Sequence, residues 1–60
     1  MKSREVIKML KEDGWYEART KGSHVQFKHP IKKGLVTVPH PKADLPAKTF
    51  SSIKKQAQLT

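Results

Sequence analysis

"HVQFKH", residues 24–29, alternates polar and apolar side chains. A β-strand turns successive side chains to opposite faces, so Val25 and Phe27 fall on one side and His24, Gln26 and Lys28 on the other. Such a segment needs a core beneath it and leaves its second face free. Pro30 follows and ends the strand, because proline has no N–H to give to a ladder. "KGS", residues 21–23, precedes it and reads as a turn, with Gly22 supplying the conformational freedom.

Strands flank this segment on both sides. "WYEART", residues 15–20, begins with two aromatics that favour β structure. "IKKG", 31–34, leads into "LVTVP", 35–39, which is rich in β-branched residues. Links this short predict a meander of three antiparallel strands. Helices are predicted at the two ends. In the first, Ser3 to about Asp13, Ser3 is the expected N-cap and Glu5 suits the positive end of the dipole. Val6, Ile7 and Leu10 share one arc with Met9 on its flank, and Gly14 ends the helix. After the loop "HPKADLP", 40–46, Pro46 is expected as the first residue of a second helix, and Phe50, Ile53 and Ala57 recur on one face. Lys48, Ser52 and Lys55 fall nearly opposite and read as a solvated face.

The fold class expected is therefore α+β, in the order α-β-β-β-α: a three-stranded antiparallel sheet with two helices on one face. Those helices should cover Val25 and Phe27, leaving His24, Gln26 and Lys28 in a row on the open face. Side chains two apart on that face stand about 7 Å apart, close enough to converge on one phosphodiester.

Sixty residues are expected to form a single domain, 1–60, with a small core that no cysteine is available to staple. Uninterrupted apolar runs reach only two residues, such as Val6-Ile7 and Leu35-Val36, and no signal peptide is visible. A soluble, cytoplasmic protein without membrane partners is expected. Thirteen Lys and Arg against five Asp and Glu give a net charge of +8, spread along the whole chain. Such a surface gathers polyanions, with nucleic acid the first candidate.

An imidazole titrating near neutrality both takes and gives a proton, which metal-free RNA cleavage requires. A base removes the 2′-hydroxyl proton, the oxygen attacks phosphorus, and an acid protonates the leaving 5′-oxygen. Positive side chains stabilise the charge that develops. Among three histidines, His24 follows the Gly-containing turn with Lys21 and Lys28 nearby; His29 has the opposite parity and is expected to pack at the strand end; His40 lies in a loop. Their spacings match no metal-ligand pattern, so neither metal nor small-molecule cofactor is expected. Ser23 beside His24 is no triad, the scattered glycines form no phosphate loop, and the carboxylates show no glycosidase pairing.

The chain resembles the HicA-type toxins, the ribonuclease half of bacterial HicA–HicB toxin–antitoxin pairs. "MKSREVIKMLKEDGW" is similar to the family's first helix and its Gly-aromatic exit, and "KGSHVQFKHP" to its Gly-Ser-His-x-x-Phe segment, with Gly22, Ser23, His24 and Phe27 in place. "LVTVPHPKADLPAKTFSSIKKQAQL" resembles its third strand, Pro-His loop and closing helix. One departure is visible near the C-terminus, where Gln58 stands at the position of the family's frequent glycine. The resemblance implies a fold like a double-stranded RNA-binding domain, metal-independent cleavage of messenger RNA, and His24 as the catalytic histidine. It also implies a HicB-type antitoxin partner that masks this histidine. The residues expected at the RNA are Lys21, Gly22, Ser23, Gln26 and Lys28 around His24, with Lys28, His40 or water open as a second proton carrier. The alternative is a non-catalytic module that reads double-stranded RNA by shape.

Overall fold

The computed structural model describes residues 1–59. The central strand is β2, His24–Lys28, flanked by β1, Tyr16–Lys21, and β3, Val36–Pro39, in an antiparallel sheet of order β1-β2-β3. Helix α1 spans Ser3–Glu12 and helix α2 Ala47–Gln56, which completes the expected α-β-β-β-α order.

Alternation on β2 is as the sequence requires: Val25 and Phe27 are buried, while His24 and Lys28 are exposed and Gln26 is half-buried. Val36 and Val38 continue the apolar face on β3. Val6, Ile7 and Leu10 of α1 close over it together with Ile53 and Ala57 of α2. Both helices lie under the β2–β3 side of the sheet. β1 therefore has no buried residue, and its register with β2 shifts at a bulge between Glu17 and Arg19.

Several boundaries move, each for a physical reason. Trp15 is not in the first strand; it is buried, and its backbone N–H closes the end of α1 on Leu10 O at 2.9 Å. Gly14, at φ +107°, makes this exit possible, and a Cβ there would meet the His29 ring at 2.7 Å. Ser3 is not the N-cap. Lys2 holds that position, its N–H donating to Glu5 Oε1 at 3.0 Å. Ser3 is instead buried in the first turn, where its hydroxyl accepts from Lys42 N–H at 2.9 Å and meets His40 Nδ1 at 2.7 Å. Pro46 likewise stands just outside its helix as the N-cap of α2, and the loop residue before it, Leu45, plugs the core.

Lys32, from the β2–β3 loop, ties both helix ends together. Its ammonium pairs with Asp13 at 2.5 Å and donates to the Ala57 and Gln58 carbonyls at 3.2 and 3.4 Å. Cations are favoured at helix C-termini, where carbonyls lack partners. The Lys32 ammonium, through hydrogen bonding above all, holds the Asp13 carboxyl below its usual value.

The departure at Gln58 has a structural consequence. Leu59 N–H donates to Lys54 O at 2.9 Å and Gln58 N–H to Lys55 O at 3.1 Å, the paired bonds of a Schellman cap. That cap needs the left-handed conformation, and Gln58 takes it, with φ +57°. Left-handed backbone costs a side-chain-bearing residue roughly 1 kcal/mol relative to glycine. Gln58→Gly is expected to raise the melting temperature by about 4–8 °C, measured by thermal unfolding. An unchanged or lower value would show that the Gln58 side chain, which donates to Lys33 O at 3.2 Å, offsets the strain.

Candidate active site around His24

His24 sits at the corner of the sheet, immediately after a two-residue hairpin turn. Gly22 leads that turn with φ +58°, the first-position glycine characteristic of type II′ hairpins. A Cβ at Gly22 would meet nothing within 4 Å, so conformation and not space dictates glycine there. The turn is fixed to β3 by His40 N–H, which donates to Ser23 O at 2.7 Å.

Register decides what surrounds the imidazole. Lys21 is the cross-strand partner of His24 on β1 and Pro39 its partner on β3, so all three share the open face. Gln26, two residues along, lies between Arg19 and Thr37 on the same face. Lys28 is four residues from His24, about 13 Å along the strand. Of the residues expected at the RNA, the fold gathers Lys21, Gly22, Ser23 and Gln26 around His24 and places Lys28 at the far end of the row.

The other two histidines are occupied. His29 packs edge-on against Trp15, with ring centroids 5.1 Å apart. Its Nδ1 accepts the N–H groups of Ile31 and Lys32, both at 3.0 Å, so Nε2 carries the proton and donates to Asp13 O at 2.7 Å. His40 follows Pro39 and so faces away from His24, toward α1, where it meets Ser3. Neither ring lines the His24 groove. The ring nitrogens of His24 make no hydrogen bond among the described residues, in which no three His, Asp or Glu side chains gather to hold a metal ion.

Sequence reasoning missed the wall that α2 builds beside this face. The helix runs along the outer edge of β3, where Gln56 Oε1 accepts the Thr37 N–H at 3.2 Å. A cleft of about 310 Å³ opens between the sheet and the helix. His24, Thr37 and Pro39 line one side, and Lys48, Ser52 and Gln56 the other. Spacing at i, i+4 and i+8 puts the three α2 residues on one helix face. Periodicity marks that face as polar but cannot say that it borders the histidine.

Comparison with known proteins adds family and fold. A family model described as the HicA toxin of bacterial toxin–antitoxin systems matches residues 3–59. No curated protein matches the chain by sequence. Among solved structures, a chain from a toxin–antitoxin complex of Streptococcus pneumoniae is similar, with a TM-score of 0.79 and 30% identity. The similarity covers 97% of each chain.

Proposed function

The chain belongs to the HicA toxin family of bacterial toxin–antitoxin systems, and on that premise we propose that it is a metal-independent endoribonuclease acting on messenger RNA. The observation that carries this reading is the placement of His24. An exposed imidazole, free of internal hydrogen bonds among the described residues, faces a cleft at the lower end of small-molecule site volumes, with cations on both flanks.

In the proposed reaction a nucleotide lies in this cleft with its 2′-hydroxyl at His24. The imidazole takes the hydroxyl proton, the O2′–P bond forms and the P–O5′ bond breaks. The proton is then returned to the 5′-oxygen, directly or through water. Products are a 2′,3′-cyclic phosphate and a 5′-hydroxyl, with no net proton change. Lys21, beside the imidazole, and the Gly22-Ser23 turn hold the backbone; Gln26 reaches the neighbouring nucleotide, and Lys28 contacts phosphate further along. The similar chain of known structure comes from a toxin–antitoxin complex. A HicB-type antitoxin covering the His24 cleft would switch the activity off by excluding RNA. The whole chain acts as one domain.

Single-stranded RNA incubated with the purified protein and excess chelator separates this reading from a non-catalytic RNA-binding module. Fragments are expected, and their yield should fall as salt rises, because bound phosphates release counterions at about 0.7 per contact. Protection of the RNA without cutting would favour the binding module instead.

A further inference from the structure

We propose that the active site is composite, with Lys48 of α2 supplying the cation that holds the scissile phosphate across the cleft from His24. This inference rests on the nuclease reading and adds a residue that neither the hairpin nor its Gly-Ser-His segment contains. Among the described residues, Lys48 is the only permanently charged one lining the cleft that holds His24. Attack by a 2′-oxygen places extra negative charge on the phosphoryl oxygens, and an imidazole engaged with the hydroxyl proton cannot neutralise it. A cation fixed on a helix, opposite the base, can.

A second observation is independent of the cleft. Lys48 stands in the first turn of α2, at the positive end of the helix dipole, where a lysine is locally unfavourable. That turn contains no acidic residue, and Pro46 provides no side-chain cap. Among the described residues Lys48 forms no ion pair, although α1, by contrast, carries Glu5 in its first turn. Folding alone gives no reason for a positive side chain at this position. A bound phosphate does, because it meets the ammonium and the free N–H groups of the same turn together. Ser52, one turn further on, borders the same cleft and offers a hydroxyl to the sugar-phosphate.

The test compares wild type, Lys48→Met, Lys48→Arg, Lys55→Met and His24→Ala under single-turnover conditions with single-stranded RNA in chelator. Binding to the same RNA made uncleavable by 2′-O-methylation is measured in parallel. Lys48→Met is expected to cut bound RNA about 10²–10³-fold more slowly, with a melting temperature equal to or above that of wild type. Lys48→Arg should keep activity within about tenfold of wild type. Lys55→Met removes the same charge from the next turns of the helix and should alter binding modestly and its salt slope by about 0.7, leaving the cutting step unchanged. If wild type cuts and His24→Ala does not, yet Lys48→Met cuts within threefold of wild type, the composite site is wrong and the nuclease reading stands. Equal losses in Lys48→Met and Lys55→Met would reduce Lys48 to general attraction and also overturn it. No cutting by wild type overturns the nuclease reading and this inference with it.

Discussion

His24→Ala is expected to lower RNA cleavage by about 10²–10⁴-fold while leaving the melting temperature within a degree or two of wild type. The size follows from what one positioned acid–base group contributes. The preserved stability follows from exposure: the imidazole is exposed and makes no hydrogen bond among the described residues, so its removal leaves no cavity and no stranded partner. Expression of the variant should no longer arrest growth, yet it should still bind uncleavable RNA through the neighbouring lysines. The decisive comparison measures rate and stability on one protein sample. Full cutting by a folded variant would remove His24 from the mechanism. Lost cutting with a collapsed melting curve would assign it a structural role.

Three residues along the same strand, Phe27→Ala is expected to have the opposite signature. Phe27 is fully buried on the covered face of the sheet and shares one core with Val6, Leu10 and Ile53. Truncating a buried phenylalanine costs about 3–5 kcal/mol in lost transfer energy and residual cavity. Sixty residues ordinarily hold roughly 3–9 kcal/mol in total, so this one change consumes much of the stability. The melting temperature should fall by about 15–30 °C, and the far-ultraviolet signal at 37 °C should be largely that of an unfolded chain. A fall below about 5 °C would show that the core repacks and does not depend on this ring. Cleavage should be lost only where the fold is lost and recover on cooling.

Alternation along residues 24–28 made the exposure of His24 and the burial of Phe27 legible, because period-2 patterning is fixed by backbone geometry alone. The helices were legible from their apolar faces, and the fate of His29 from its parity. Errors at the element ends share one cause. Ser3, Trp15 and Pro46 were read from local preference, but each position is decided by what the tertiary fold offers. Ser3 found Lys42 and His40 from a distant loop, and Trp15 found the core at the exit of α1. Leu45, one apolar residue in a proline-containing loop, gave no periodic signal of its burial.

For the site, the exposed strand position of His24 followed from the sequence, whereas Lys21, read there as part of the turn, is the last residue of β1 and the cross-strand partner of His24. Lys28, on the same face as His24, stands about 13 Å away from it, because four residues of strand separate the two. The α2 wall was out of reach. Whether Lys48, Ser52 and Gln56 face open water or the His24 cleft depends on where the helix lies against β3, and no local pattern encodes that.

The chemistry of the cut ends tests the central claim most directly. RNA digested in the presence of chelator should yield upstream fragments ending in 2′,3′-cyclic phosphate and downstream fragments beginning with 5′-hydroxyl. A single 2′-deoxynucleotide placed 5′ to the preferred bond should abolish cutting there. Fragments carrying 3′-hydroxyl and 5′-phosphate ends, or undiminished cutting at the deoxynucleotide, would mean that water and not the ribose hydroxyl attacks. Either result would contradict a mechanism built on His24 deprotonating the sugar.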